Sequence, residues 1–218
     1  GDSSIQKKKT ILSTKFKNVI KFDKKKGVIK VQSGIILKNL LEKIIPYGWF
    51  IPVSPGTKYV SIGGMVASNV HGKNQHIDGC LINYIKSILL ILPNGKKRIL
   101  TKNKNKELFY STCGGMGLIG FILEVEFDLI KINSTSIIQN KTYFDSLEKL
   151  IIKIKSSKEK YVVSWLDFFS LNNNKIKSIL YTGDHFNSKS NLSKFSFNKE
   201  FLINKYIGKI VNIFLFDS

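Results

Sequence analysis

A chain of 218 residues with 43% apolar content can build one large or two modest domains around a real core, and is too apolar to be disordered. Its formal net charge of +20 invites a nucleic-acid reading, yet Arg98 is the only arginine and the lysines are scattered. The joint excess of lysine, isoleucine and asparagine follows AT-rich coding, so a solvated lysine surface is expected. A functional basic patch and attraction to anionic lipid headgroups are the alternatives. Cys80 and Cys113 form neither a disulfide framework nor a metal-ligand spacing, which makes a reducing compartment the default. No apolar run approaches the roughly 20 residues that span a bilayer. The chain starts on Gly1 rather than methionine and stops just after an apolar run, and so reads as an internal piece of a longer protein.

In chain order, residues 10–13, 18–22 and 28–32 are predicted strands, with 23–27 as the turn between the last two. Ile36, Leu37, Leu40, Leu41, Ile44 and Ile45 recur at helical spacing, so 36–47 is predicted as an amphipathic helix ended by Pro46 and Gly48. A brief strand over 49–52 delivers the chain into residues 55–79, the segment around which the rest is organised. Pro55-Gly56 is turn chemistry. Ser61 is placed to cap a short helix whose first turn carries Gly63 and Gly64, so that bare backbone N–H groups face outward to a phosphate or diphosphate. Met65, Val66 and Ala67 pack inward. Residues 69–72 then leave the helix and present His71, Lys73, Asn74 and His76 as a cationic rim. The glycines fit neither G-x-G-x-x-G nor a P-loop, in which a hydroxyl residue would have to stand at Asn74. A plain glycine-rich surface loop is the competing reading.

Residues 82–92 read as a buried strand, Pro93-Asn94-Gly95 as a hairpin turn into a strand over 97–101, and 104–113 as a short helix with Leu108 and Phe109 inward. A second glycine-rich turn, Cys113-Gly114-Gly115-Met116-Gly117-Leu118-Ile119-Gly120, precedes a strand over 121–130. Such dense glycine implies close backbone approach, either to a planar or phosphorylated group or to another strand. Residues 131–136 read as a crossover to a second unit. There a strand over 136–143 leads to a helix over 147–156, capped by Ser146, with Leu147, Leu150, Ile151 and Ile154 on one face. A strand over 161–168 carries Trp165 and pairs with 176–181, and Gly183-Asp184-His185 closes or leaves that hairpin. Beyond 187 a loop is expected, and 199–216 is apolar without a firm type. No carboxylate pair, metal cluster or nucleophile elbow is present in the sequence, and His185 is read as a structural residue.

Taken together, residues 53–79, the Asn94-Gly95 hairpin, the Glu107-Leu108-Phe109 helix and the Gly114–Gly120 turn resemble the FAD-binding domain of flavoproteins of the vanillyl-alcohol oxidase and para-cresol methylhydroxylase (PCMH) type. The run His71-Gly72-Lys73-Asn74-Gln75-His76 is most similar to the decaprenylphosphoryl-β-D-ribose 2-oxidases. The resemblance implies an α+β fold: a PCMH-type FAD-binding domain over 1–131, its beginning missing, then the start of an antiparallel-sheet substrate (cap) domain over 132–218. Gly1, Asp2 and Ser3 match the tail of the family's first flavin loop. Gly56, Ser61, Ile62, Gly63 and Gly64 fall where the family contacts the FAD diphosphate and ribityl chain. Ser68, Asn69, Val70 and His71 fall where it lines the flavin, and Ile122 where the backbone meets the adenine side. His71, Lys73 and Trp165 match its substrate pocket.

The cofactor implied is non-covalent FAD, and the chemistry is hydride transfer from a secondary alcohol carbon of a sugar to flavin N5. The implied substrate is a polyprenyl-phosphate-linked ribose, oxidised at C2 on the way to arabinose in cell-wall precursor synthesis. A partner reductase, peripheral membrane association and a cytoplasmic location go with it, and no nucleic-acid partner is expected. Aldonolactone or other sugar oxidation on the same fold, a non-catalytic flavin domain and, from another class, a basic nucleic-acid-binding module stay open. Gln75 stands where the subgroup has histidine, which leaves substrate preference open, and no catalytic base is identified.

Overall fold

The computed structural model describes residues 11–172, 175–188 and 191–197. The chain opens on a hairpin, β1 (Val19–Asp23) and β2 (Val28–Gln32). Its turn is built as the sequence requires: the Asp23 carboxylate accepts the N–H groups of Lys25 and Lys26 at 3.0 and 2.9 Å, and Gly27 takes φ +68°. Helix α1 (Leu37–Ile44) follows and buries Leu37, Leu40, Leu41 and Ile44 completely. A 3₁₀ turn over Ile45–Tyr47 with Pro46 in its first positions, and Gly48 at φ +78°, end it. Then come β3 (Trp49–Phe50), α2 (Ile62–Ala67), α3 (Gln75–Asp78), β4 (Ile85–Ile91), β5 (Lys97–Leu100), α4 (Lys106–Thr112), β6 (Phe121–Asp128) and β7 (Ile130–Lys131).

Five of these strands form one antiparallel sheet in the order β1-β2-β6-β4-β5, and β3 pairs separately with β7. One face of the sheet and the helices share a continuous core that includes Ile29, Val31, Leu40, Phe109, Val125 and Phe127. The second unit is β8 (Ile137–Ser146), α5 (Leu147–Ser156), β9 (Tyr161–Asn172) and β10 (Lys175–His185), an antiparallel sheet in the order β8-β10-β9. The fold is α+β, as expected. Helix α5 is capped by Ser146, whose Oγ accepts the Lys149 N–H, and it packs on β8 and β10 through Leu150. Ile176, Ser178, Leu180 and Thr182 are buried, and alternation puts them on one face of β10. Tyr161, Val163, Trp165 and Asp167 lie on the other face, opposite Gly183, Tyr181, Ile179 and Lys177.

Several boundaries differ from the sequence expectation for identifiable reasons. No strand forms at 11–13: Ile11 and Leu12 are exposed and have no partner strand among the described residues, and Ser13–Lys15 is a 3₁₀ turn. Residues 81–84 are a 3₁₀ turn rather than the start of β4, held there by the buried Leu81 and by the Tyr84 hydroxyl, which bonds Asp78 at 2.8 Å. Gly183-Asp184-His185 is not a turn but continues β10, in register with Gln139, Ile138 and Ile137 of β8. The apolar stretch 199–216 lies outside the described residues.

The two sheets meet along a short seam. The Val162 N–H at the start of β9 donates to the Lys73 carbonyl at 2.9 Å, Lys160 pairs with Asp78 at 3.2 Å, and His76 Nε2 lies 3.0 Å from the Glu159 carbonyl.

Candidate functional site

Helix α2 forms where the sequence places it, and the Ser61 Oγ accepts the Gly64 N–H at 3.2 Å as its cap. The expected anion cradle, however, is not open. The Ile62 N–H donates to the Ile35 carbonyl at 3.0 Å, and the Gly63 N–H to the Ser33 carbonyl at 2.7 Å. With Gly64 on Ser61, the three leading amides of the helix are satisfied within the chain, so they are not the donors that the sequence reading assigned to a diphosphate. Gly63 is glycine for packing, because a Cβ there would lie 2.7 Å from the Ser33 Cβ. Gly64 is different: a Cβ would meet only the Ser61 Oγ, so its outer flank is open.

The second glycine turn closes the other end of α2. Gly114 and Met116 donate their N–H groups to the carbonyls of Val66 and Ala67 at 3.1 and 2.8 Å. A Cβ on Gly120 would sit 2.5 Å from the Ile91 carbonyl oxygen. Of the two readings open for this turn, packing against chain accounts for these contacts. Ser68 is exposed at the end of α2, Asn69 (φ +39°) accepts the Ile82 N–H on its Oδ1, and Val70 packs on the core. Ile122 is buried in β6 opposite Leu90. There β6 outruns β2, whose last pair is Gln32 with Glu124. Gly1, Asp2 and Ser3 lie outside the described residues.

His71 and Lys73 do come together, in a cleft of about 1660 Å³ between the loop after α2 and the three-stranded sheet. One wall carries Phe50, Ser54, Gly56, Lys58, His71 and Lys73, and the other Gln139, Tyr161, Val163 and Tyr181, while Lys155 and Lys158 stand at the end of α5. None of the described lining residues is Asp or Glu. Burial pushes the Lys73 ammonium below the usual lysine value. Trp165 is more than half exposed and does not line this cleft. It lies on the same face of β9 as Val163 and lines a shallower hollow with Tyr143, Ile179 and Lys177. Sequence reasoning did not find Tyr161, Lys155 or Lys158, because they reach the cleft only through the docking of the second sheet and its helix against the loop after α2.

A buried polar hub fixes the cleft floor. Asn74, fully buried, donates from Nδ2 to the Pro52 carbonyl at 2.7 Å and to Asp78. Asp78 also accepts from Tyr84 and pairs with Lys160 across the seam. Burial alone would raise the Asp78 carboxyl, but the bonds from Tyr84 and Asn74 and the Lys160 charge outweigh it and hold it below the usual carboxylate value. Burial and the same Asp78 bond push the Tyr84 phenol up to about 12. The Cys113 thiol is pushed by burial to about 12, which suits a packing residue rather than a nucleophile. Among the described residues no group of His, Cys, Asp and Glu could hold a metal ion, and no helix is long and apolar enough to cross a membrane.

The cleft suits a polyanionic, hydrogen-bonding ligand such as FAD. Its lining carries four lysines, Gly56 presents open space where a side chain would stand, and the Ser54 Oγ is buried without a hydrogen-bond partner among the described residues. Residues 1–101 match the family model described as an FAD binding domain. Residues 1–101 therefore carry an FAD-binding domain, which implies non-covalent FAD as its cofactor. Its relatives include the decaprenylphosphoryl-β-D-ribose oxidase of Mycolicibacterium smegmatis, 32% identical over 66% of this chain and 32% of the relative. A D-lactate dehydrogenase of Anaerostipes hadrus is 31% identical over 54% of this chain and 26% of the relative. The probable L-gulonolactone oxidase 4 of Arabidopsis thaliana is 28% identical over 55% and 22%. The chain spans about a third or less of the length of these relatives.

Proposed function

We propose that this chain is the flavin-binding part, with the start of the cap, of an oxidoreductase that oxidises a secondary alcohol of a sugar. The substrate is a polyprenyl-phosphate-linked ribose, as the name of the Mycolicibacterium relative suggests. The observation that carries the reading is the cationic cleft, free of described Asp and Glu in its lining, between the His71-Lys73 loop and the sheet face of Tyr161 and Val163. Bound FAD supplies the hydride acceptor. Lys58 and Lys73 offset negative charge in the cleft. His71, exposed on the loop, contacts the ligand from one side, and the sheet face holds the sugar against it and limits water. Trp165, further along that face, extends the wall toward the distal part of the substrate. Gly56 and the open flank of Gly64 are the places where FAD lies against bare backbone. Ser68 to His71 lead from α2 toward the ring, and Ile122 lies on the adenine side. The family match ends at residue 101, while β6 and β7 carry the first unit to Lys131, in keeping with a boundary near 131. A partner reductase reoxidises or completes the cycle, and the lipid-linked substrate brings the cytoplasmic face of a membrane within reach.

The test uses the full-length protein. Desalted enzyme should stay yellow, and anaerobic mixing with a short-chain polyprenylphosphoryl ribose should bleach the flavin absorbance. Bleaching by L-gulonolactone or D-lactate instead would move the substrate to that of another relative. A colourless protein held on DNA in a steeply salt-dependent way would refute the flavoenzyme reading.

A further inference from the structure

His185, at the end of β10, sits where the two halves of the molecule touch. Its ring packs edge-on against Phe50 of β3, with centroids 5.7 Å apart at 72°, and against Tyr161 of β9, at 5.5 Å and 73°. Phe50 and Tyr161 are themselves lining residues of the cleft, one from each wall. The Tyr161 hydroxyl lies 2.8 Å from His185 Nε2. His185 Nδ1 is buried and has no hydrogen-bond partner among the described residues.

That last fact selects the tautomer. A buried N–H without an acceptor is rarer and costlier than a bare lone pair, so the unpartnered Nδ1 is the nitrogen without the proton. Nε2 then carries the hydrogen and donates it to Tyr161 Oη. The phenol's own proton is left free for an acceptor in the cleft. Burial, with Lys160 acting the same way and Asp184 opposing it, holds the imidazole below the usual histidine value, so the ring stays neutral. Burial and the charges of Asp78 and Asp184 raise the Tyr161 phenol, so it stays a donor.

We infer that Tyr161 is a ligand-binding residue of the cleft, donating its hydroxyl proton to an oxygen of the bound FAD or of the sugar, and that His185 is the positioning residue that aims it. The inference rests on the flavoenzyme reading above and adds to it a contact from the cap side. The free proton points to a ligand oxygen that accepts, a phosphoryl, carbonyl or hydroxyl oxygen.

The experiment uses the full-length protein and three variants, Tyr161→Phe, His185→Gln and His185→Leu, each first checked for a wild-type circular dichroism spectrum and Tm. One arm titrates FAD into apoprotein and reads the quenching of flavin fluorescence. The other measures KM and kcat with a short-chain polyprenylphosphoryl ribose. Loss of one neutral hydrogen bond predicts about a tenfold weakening in Tyr161→Phe, in FAD affinity if the acceptor is the cofactor and in KM if it is the sugar. His185→Leu should reproduce that loss. His185→Gln, whose amide N–H stands near Nε2 and can still donate to Tyr161, should stay within about threefold of wild type. This rescue would not follow if the ring merely filled space, since leucine fills it better. Tyr161→Phe within twofold of wild type in both arms overturns the inference, as does equal damage from glutamine and leucine. Wild-type protein that binds FAD but turns over none of the sugars sinks the substrate proposal instead, and the FAD arm alone then decides the role of Tyr161.

Discussion

The five-stranded and three-stranded sheets are built on different principles. In the first, α1, α2 and α4 add apolar side chains to a core that is closed on one face and continuous from Ile29 to Phe127. In the second, one helix covers one face through Leu150, while Trp165, Phe168 and Phe169 stand largely in solvent. What joins the second sheet to the first is a short set of contacts, the polar pairs of Asp78 with Lys160 and of the Lys73 carbonyl with Val162, and the His185 ring wedged against Phe50. The cleft therefore lies between an apolar body and a wall joined to it by a few polar and ring contacts. Stability and site geometry should respond to different mutations.

The largest effect is expected inside the apolar body. Phe109→Ala removes a fully buried ring and should cost roughly 3–5 kcal/mol in urea unfolding of the full-length protein. Gly27→Ala comes next, at about 2–4 kcal/mol. Its φ of +68° disfavours a side chain, and the new Cβ would lie 2.1 Å from the Trp49 ring, whose indole N–H is fixed on the Lys24 carbonyl. At the seam, Asp78→Ala removes an acceptor shared by Asn74, Tyr84 and Lys160 and should cost about 2–3 kcal/mol. Unlike the first two it should also raise KM, because the loop that carries Lys73 loses its anchor. An equal loss of kcat and stability with unchanged KM would break the distinction between body and seam.

Acid should separate the two regions without mutation. His185 has a lowered folded-state value, so its contribution is intact above about pH 6.5 and is lost as the pH falls below that, when the unfolded state takes up a proton that the folded state refuses. Asp78, also lowered, holds its contribution above about pH 4 and loses it as the pH falls through its folded value. Both lie at the seam. The protection factor of the Val162 amide, corrected for the intrinsic slowing of exchange in acid, should therefore fall below about pH 6.5 while that of the Val31 amide, paired in the core, holds. Simultaneous exposure of both amides would show the two units to be one cooperative block. The smallest effect is expected at Phe169→Ser, where a fully exposed ring is removed and stability should move by no more than about 0.5 kcal/mol.

The elements most legible in the sequence are those whose information is local. The 23–27 turn follows from Asp23 and Gly27, α1 from its apolar period, its end from Pro46 and Gly48, and the caps of α2 and α5 from Ser61 and Ser146. The resemblance to PCMH-type flavoproteins was legible too, because the order of the glycine and histidine segments is itself a local pattern. The site was only half legible. His71 and Lys73 line the cleft, but the amides of Ile62 and Gly63 do not face it, because Ile35 and Ser33, far back in the chain, supply their acceptors. His185 read as a structural histidine, since nothing near it in sequence announces Tyr161 or Phe50.

By itself, then, the sequence determined the turns, caps, helix faces and the flavoprotein resemblance, since each depends on residues within a few positions of one another or on their order. The tertiary structure alone decided which amides were already bonded, that the start of β9 borders the cleft, and that Asp78 and His185 join the two sheets. Those outcomes depend on groups brought together from distant parts of the chain, and no periodicity or spacing records such a meeting.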